Sequence, residues 1–276
     1  MRLYVLILLF TTQILPSIGQ VSIMTYNIRY NNPNDRDNWW ENRKEEVVDL
    51  VQYYSPDFLG TQEGLDEQIT YLNQALDGYS YIGVGRDGEG KKSEHVAIFY
   101  LTSKYDLIES STFWLSPTPD QVSIGWDAAL NRICTYGHFK DRATGAAFHV
   151  FNCHFDHQGK QAREKSAEVI LAKMKEWKLL GKNLVLTGDF NSVPTSKAIA
   201  TIEQVLADSR KVSLQQSYGP AGTFNGFDLT AELDNPIDYI FVKNLRILNH
   251  RHIDDRRRNG LWVSDHLPVF ATIITE

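Results

Sequence analysis

Short apolar runs bounded by Gly, Pro, Asp and Asn recur along the 276-residue chain. They fall into two periods. Runs of four to nine residues rich in Val, Ile, Phe and Tyr read as strands. They cover residues 21–28 (VSIMTYNI), 57–63 (DFLGTQE), 81–84, 96–100, 106–114, 237–242, 245–253 and 268–274. Between them RICTYGHF and AFHVFNCHF form a hairpin across the turn KDRATGA, and Leu184-Val185-Leu186 leads into a further strand end. Helical spacing governs residues 42–54, where Val47, Val51 and Tyr54 share a face, Asn42 stands as cap and Pro56 follows the end. Residues 66–76, the longest helix within 159–180, and a short one near 196–205 complete the set. Hairpins mixed with helical crossovers imply an α/β (α+β) fold in which two mixed sheets pack face to face with helices outside. No repeat or low-complexity linker interrupts it, so residues 21–276 read as one domain.

The first 20 residues follow another pattern. Arg2 precedes an apolar run from Leu3 to Phe10, and small residues stand near Ser17 and Gly19. That is a signal peptide and an expectation of export, secreted or periplasmic; a membrane span would need ~20 apolar residues. No other segment is long and apolar enough to span a membrane, and nothing in the sequence marks a protein partner. The formal net charge of −6 argues against tracking along nucleic acid, which favours a basic face. DRRRNG (255–260), close to SDHLP, is the local exception and leaves a phosphate-steering role open. If Phe139 pairs with Phe148, Cys134 falls opposite Cys153. Directly opposed strand cysteines meet demanding bridge geometry, so two buried thiols are favoured over a disulfide.

The stretch TGDFNSVP (187–194) places a carboxylate and a carboxamide two residues apart at a strand end. Alternation points Asp189 and Asn191 to one face, and Gly188 admits a close backbone approach. Polar residues close other strands too: Asn27, Glu63 and His154, with Asp238 inside PIDYIFV and Asp265-His266 before the last strand. Any one has a bland reading as turn, cap or core residue. Together they suggest convergence at one edge of the sandwich. Carboxylates and carboxamides are hard oxygen ligands suited to Mg²⁺ or Mn²⁺, and two histidines beside such a cation suit phosphate chemistry.

These motifs, TYNIR, DFLGTQE, CHFDH, TGDFN, IDYIFV and SDHLPV in that order, resemble the endonuclease/exonuclease/phosphatase (DNase I-like) superfamily across nearly the whole chain after residue 20. NIRY, GVGRDG, TFWLSPTP, GWDAALNRIC and CHFDHQGKQAR are similar to a secreted bacterial branch related to the nocturnin-like deadenylases. The resemblance implies a four-layer α/β/β/α sandwich and a Mg²⁺- or Mn²⁺-dependent hydrolase of phosphate mono- or diesters. Under it, Asn27, Glu63 and Asp265 hold the cation. Asp189 orients and deprotonates the attacking water, and Asn191 helps hold water or phosphate. His154 contacts the phosphate and assists the leaving group. His266, held by Asp238, binds a phosphoryl oxygen or acts as base, and Glu94 orients His154.

The substrate is less defined: a small phosphorylated molecule, a nucleotide or a short oligonucleotide. Arg29, Arg86, Arg132 and Arg163 lie in motif-like stretches, and an arginine fork suits phosphate. Trp39, Trp40, Trp114, Trp126 and Trp262 fall in predicted loops or strand ends, where a ring can stack on a base or sugar or fill a loop core. Of these, Arg29, Arg132, Arg163 and Trp262 are the expected substrate contacts. Alternatives are a nuclease acting on RNA or DNA, an inactive binding domain on the same fold, and a zinc hydrolase. The last lacks an HExxH or Cys/His cluster.

Overall fold

The computed structural model describes residues 19–88 and 90–275. In chain order these form β1 (Gly19–Asn27), α1 (Trp40–Tyr54), β2 (Phe58–Gly64), α2 (Asp66–Ala75), β3 (Tyr79–Ile82), β4 (His95–Leu101), β5 (Tyr105–Trp114), β6 (Ile133–Asp141) and β7 (Ala147–His154). Then follow α3 (Lys160–Glu176), β8 (Leu184–Asp189), α4 (Lys197–Glu203), β9 (Ala207–Asp208), α5 (Ser209–Val212), β10 (Asp238–Lys243), β11 (Arg246–His252) and β12 (Val269–Thr275). One six-stranded sheet runs β11-β12-β1-β2-β4-β3 and the other β5-β6-β7-β8-β10-β9. Both are mixed, with parallel β1–β2 and β7–β8 pairs among antiparallel neighbours. This is the expected α/β sandwich of two mixed sheets with helices outside.

The packing explains why these strands carry apolar residues on both faces. Val21 and Ile23 point between the sheets, toward Phe58, Val150, Val185, Ile240 and Phe139. Met24 and Tyr26 point outward under α1 and α2, with Trp40, Val47, Val51, Ile69 and Leu72. Leu184 and Leu186 likewise face Ile170 and Met174 of α3 and Ile199 of α4. A strand buried on both faces reads as a near-continuous apolar run.

Several expectations shift at their edges. α1 begins at Trp40, two residues ahead of the expected start; no side chain caps it, and Asn42 instead donates to the Arg36 carbonyl from within the first turn. β9 and α5 were not anticipated, being too short to show a period. Phe139 does pair with Phe148, and Cys134 with Cys153; both cysteines are buried free thiols. The expected leader, 1–20, lies outside the described residues except for Gly19 and Gln20. These two belong to β1, opposite Thr275 and Ile274.

Candidate active site

Between the sheets the character of the interface changes along the strands. At one end it is apolar. Toward the other end, positions of the same alternating face become polar: Thr25 and Asn27 on β1, Asn152 and His154 on β7, Thr187 and Asp189 on β8, all buried. Asn152 donates to the carbonyls of Thr61 and Ala97 across the gap, and Gln62 donates to Thr25 and Asn152. Buried polar groups are tolerated when they are bonded in this way. Sequence reasoning missed this supporting layer. Its signal was present in the alternation of FHVFNCH, where Asn152 shares a face with His154.

Register sets the catalytic row. His154 stands beside Asp189 in the parallel β7–β8 pair, and Asp238 opposite Asp189 in the antiparallel β8–β10 pair. Three neighbouring strands therefore present three functional side chains on one face. Gly188 is needed just below them, because a Cβ there would lie 2.2 Å from the Cys153 carbonyl oxygen. The close approach expected at Gly188 is thus made by the neighbouring strand. β8 ends at Asp189, so Asn191 joins the site by another route than strand alternation. The chain turns with Asn191 at φ 44°, and its N–H donates to Asp189 Oδ1 at 2.8 Å.

Asp189 Oδ2 sits 3.5 Å from His154 Nε2 and 3.7 Å from His266 Nε2. His266 Nδ1 lies 2.8 Å from Asp238 Oδ2, which also accepts from the Thr223 hydroxyl. Burial works against the charge on His266, yet Asp238 and Asp189 outweigh it and raise its pKa well above the ordinary value. The raised pKa favours the charged imidazole, while Asn27 Nδ2 also approaches Nε2, at 3.5 Å. His154 is shifted oppositely, well below the ordinary value, by burial and then by the Arg132 and Arg86 charges. Burial and the nearby Asp238 carboxylate push Asp189 up to about 7.

The site opens into a pocket of about 650 Å³ lined by Arg29, Glu63, Arg86, Glu94, Arg132, His154, Asp189, Asn191, Asp265 and His266 among others. Of the expected cation ligands, Glu63 fits best. It sits at φ 66° beyond a register shift in β2, accepts from Asn27 Nδ2 and Tyr30 N, and has no Lys or Arg ion pair among the described residues. Asp265 lines the same pocket near Arg29, 3.7 Å from its Nη1. Burial first, and the Glu63 charge with it, push Asp265 up to about 6. Among the described residues Glu63, Asp189 and His266 form a donor group whose ligand atoms lie within 4.8 Å of one another. His266 can give a cation a lone pair only in its neutral form. Asn27 departs from expectation. Its Nδ2 donates to both Glu63 and Asp189 at 3.0 Å, while its Oδ1 accepts from the Arg29 amide, so it bridges the carboxylates as a donor.

Three further expectations are corrected. Glu94 does not reach His154; it pairs with Arg86 at 2.5 Å, and burial, with Glu63, pushes it up to about 7. The group that meets His154 Nδ1 is Arg132 Nη1, at 3.1 Å. Arg132 is itself fixed by Asp156 and His157, which makes it part of the frame as well as the pocket wall. Arg163 bonds the Asp156 carbonyl and lies outside this pocket, because α3 turns it to another face. Trp262 is buried, with Nε1 donating to the Asp228 carbonyl and Arg256 over its ring. None of the five expected tryptophans lines the pocket. Arg257 and Arg258 of DRRRNG pair with Glu46 and Asp49 on α1 and do not line it either.

Residues 24–266 match the model of the Endonuclease/Exonuclease/phosphatase family. The chain is similar to a mannosyl-6-phosphatase of Bacteroides thetaiotaomicron VPI-5482, at 40% identity and TM-score 0.88 over 92% of this chain and 100% of that one. An endonuclease/exonuclease/phosphatase family protein from Bacteroides thetaiotaomicron is 39% identical, with TM-score 0.90 over 94% and 99% of the two chains. The human nocturnin catalytic domain shares the fold at 18% identity and TM-score 0.73, over 93% and 95%.

Proposed function

Since the chain belongs to the endonuclease/exonuclease/phosphatase family, whose members are phosphoesterases, we propose that it is a divalent-metal-dependent phosphomonoesterase acting on a small phosphorylated alcohol. The observation that carries this reading is Asp189 held between His154 and His266 in a pocket also lined by Arg29, Glu63, Arg132 and Asp265. The likeness to a mannosyl-6-phosphatase supports a monoester. Trp39, Trp114 and Trp262, each able in sequence to stack on a base or a sugar, bond Asn31, the Arg86 carbonyl and the Asp228 carbonyl instead and do not line the pocket.

The donor set fits Mg²⁺ or Mn²⁺: Glu63, Asp189 and Asp265 line one pocket and offer hard oxygens. A bound cation supplies Lewis acidity toward a phosphoryl oxygen. The protein's own residues do the rest. Asp189 accepts the proton of the attacking water. His266, kept charged by Asp238, donates from Nε2 to a phosphoryl oxygen. His154, beside Asp189 and Asn191, is placed to hydrogen-bond the transferring group, and the leaving alkoxide takes up its proton from solvent water. Attack is in line and leaves no covalent phosphoenzyme: Cys153 lies under α3 among apolar residues, and burial holds its thiol far above the ordinary pKa.

The test is phosphate release from sugar phosphates, nucleotides, RNA, DNA and phospholipids with Mg²⁺ or Mn²⁺, with Asp189→Asn as control. Small monoesters should turn over fastest. A preference for diesters would overturn the reading. Export is part of the proposal, on the leader pattern of residues 1–20. Mass spectrometry of exported protein that finds Met1 retained would exclude it.

A further inference from the structure

The wall of the pocket beside His154 carries a charged pair that the proposed mechanism does not use. Arg86 and Glu94 meet through Nη1 and Oε2, and their side chains are only 14% and 15% exposed. Among the described residues, Oε1 of Glu94 and the Nε and Nη2 groups of Arg86 make no hydrogen bond. Both residues line the main pocket, and both also line a small recess with Asn131, Arg132 and His154. An acceptor and a donor fork thus stand side by side next to His154. None of these atoms is closed off from solvent, so a ligand entering the pocket can take up their spare hydrogen-bonding capacity. A hydroxyl donates once and accepts twice, so neighbouring hydroxyls satisfy a carboxylate and a guanidinium together. An alkyl chain satisfies neither.

We infer that Arg86 and Glu94 read the hydroxyl groups of the leaving alcohol, and that the substrate is a polyhydroxylated, sugar-like phosphate monoester. This rests on the phosphomonoesterase reading above and names the specificity residues of the same pocket. The exposed ring of Phe224, against His266, gives the pocket an apolar surface on which the carbon face of a sugar ring can rest.

Two substrates with the same kind of leaving group separate the ideas: a hexose 6-phosphate and n-hexyl phosphate, both esters of primary alcohols. The wild-type enzyme should favour the hexose ester by at least ~10²-fold in kcat/KM, since a site built to bond hydroxyls rejects an analogue lacking them. Glu94→Gln should shrink that preference by at least ~10-fold, mainly through KM for the hexose ester. Arg86→Met should act in the same direction. Each variant's thermal midpoint is measured beside its kinetics, and the wild-type substrate comparison does not depend on any variant folding. Hydrolysis of both esters at similar efficiency by the wild type would overturn the inference and leave the phosphomonoesterase reading standing. So would equal proportional losses on both esters in folded Glu94→Gln. Inactivity toward every phosphomonoester would overturn both.

Discussion

Arg132 Nη1 lies 3.1 Å from His154 Nδ1, and a guanidinium has only hydrogens to offer. Asn191 Nδ2, another donor, lies 3.2 Å from the second ring nitrogen, Nε2, so donors face both sides of the His154 ring, with Asp189 Oδ2 3.5 Å from Nε2. Arg132 reaches this position from the loop before β6, with Nε on Asp156 and Nη2 on His157 Nδ1. Arg132 thus holds the His154 ring from the Nδ1 side and is a positioning residue for it.

Nitrogen-15 NMR of the wild type should accordingly show a neutral His154 at pH 7. Arg132→Met, which removes a charge that opposes protonation, should move the His154 titration upward and lower kcat more than it raises KM, the pattern for a loss felt in the transition state. An unshifted His154 titration in the folded variant would refute the role.

Asp189 and His266 carry the proton and the charge in the proposed reaction. Asp189→Asn and His266→Ala should each cost at least ~10²-fold in kcat, the low end for a general acid–base residue. Both variants should stay folded, which circular dichroism checks. Near-wild-type turnover of Asp189→Asn would remove the mechanism. Asp238→Asn should imitate His266→Ala in part, because it takes away the carboxylate that keeps the imidazole charged.

Metal dependence follows from Glu63, the site carboxylate without a basic ion-pair partner among the described residues. Chelation should abolish activity, and Mg²⁺ or Mn²⁺ should restore it. Glu63→Gln should raise the metal concentration for half-activation by at least ~10-fold, the low end for weakening a metal site. Metal binding followed by calorimetry gives the same answer without relying on turnover. Full activity after chelation would exclude the assignment.

How much of this was readable in advance depended on distance along the chain. Asp189, His154 and Asp238 were legible because each stands at a strand end, and alternation with register does the rest. Asn191 was placed correctly for an incomplete reason: an Asx-type turn brings it in after the strand has stopped. The Arg132–His154 contact and the Arg86–Glu94 pair were not legible. They join loops through tertiary geometry, and no periodicity marks them. Trp262 misled because a large aromatic in a loop looks the same in sequence whether it caps a core or faces a ligand.

Packing makes Gly188 the most sensitive backbone position in the site. A methyl group there would meet the Cys153 carbonyl at 2.2 Å and Cys153 Sγ at 2.8 Å, and neither can withdraw from the middle of a sheet. Gly188→Ala should cost roughly 2 kcal/mol or more of stability, in the range of overpacking a core. Urea denaturation measures it. Cys153→Ser, which disturbs the same spot more gently, should keep most of its activity. Agents that oxidise or alkylate exposed thiols should leave the native enzyme unaffected, because both cysteines are buried.

The last prediction concerns pH and stability away from the site. His250 on β11 is buried, with Nδ1 on the Ser209 hydroxyl at 2.8 Å. Burial, then the neighbouring His252 and Arg210, lower its pKa to about 3. The unfolded chain takes up a proton on this histidine below about pH 6.5, while the folded chain does not until about pH 3. Across that window the unfolded state binds more protons, so this group's contribution to stability falls as the pH is lowered. The raised carboxylates of the active site act in the opposite sense, so the wild-type profile alone does not isolate the effect. Comparison with His250→Gln does, because the carboxylates are common to both. The variant should be less stable than wild type at pH 7.5, through loss of a fitted buried ring. Its deficit should shrink steadily from pH 6.5 toward pH 4, measured by thermal or urea midpoints with chelator present throughout. A deficit that stays constant across that range, or widens in acid, would show that His250 is not held neutral in the folded protein.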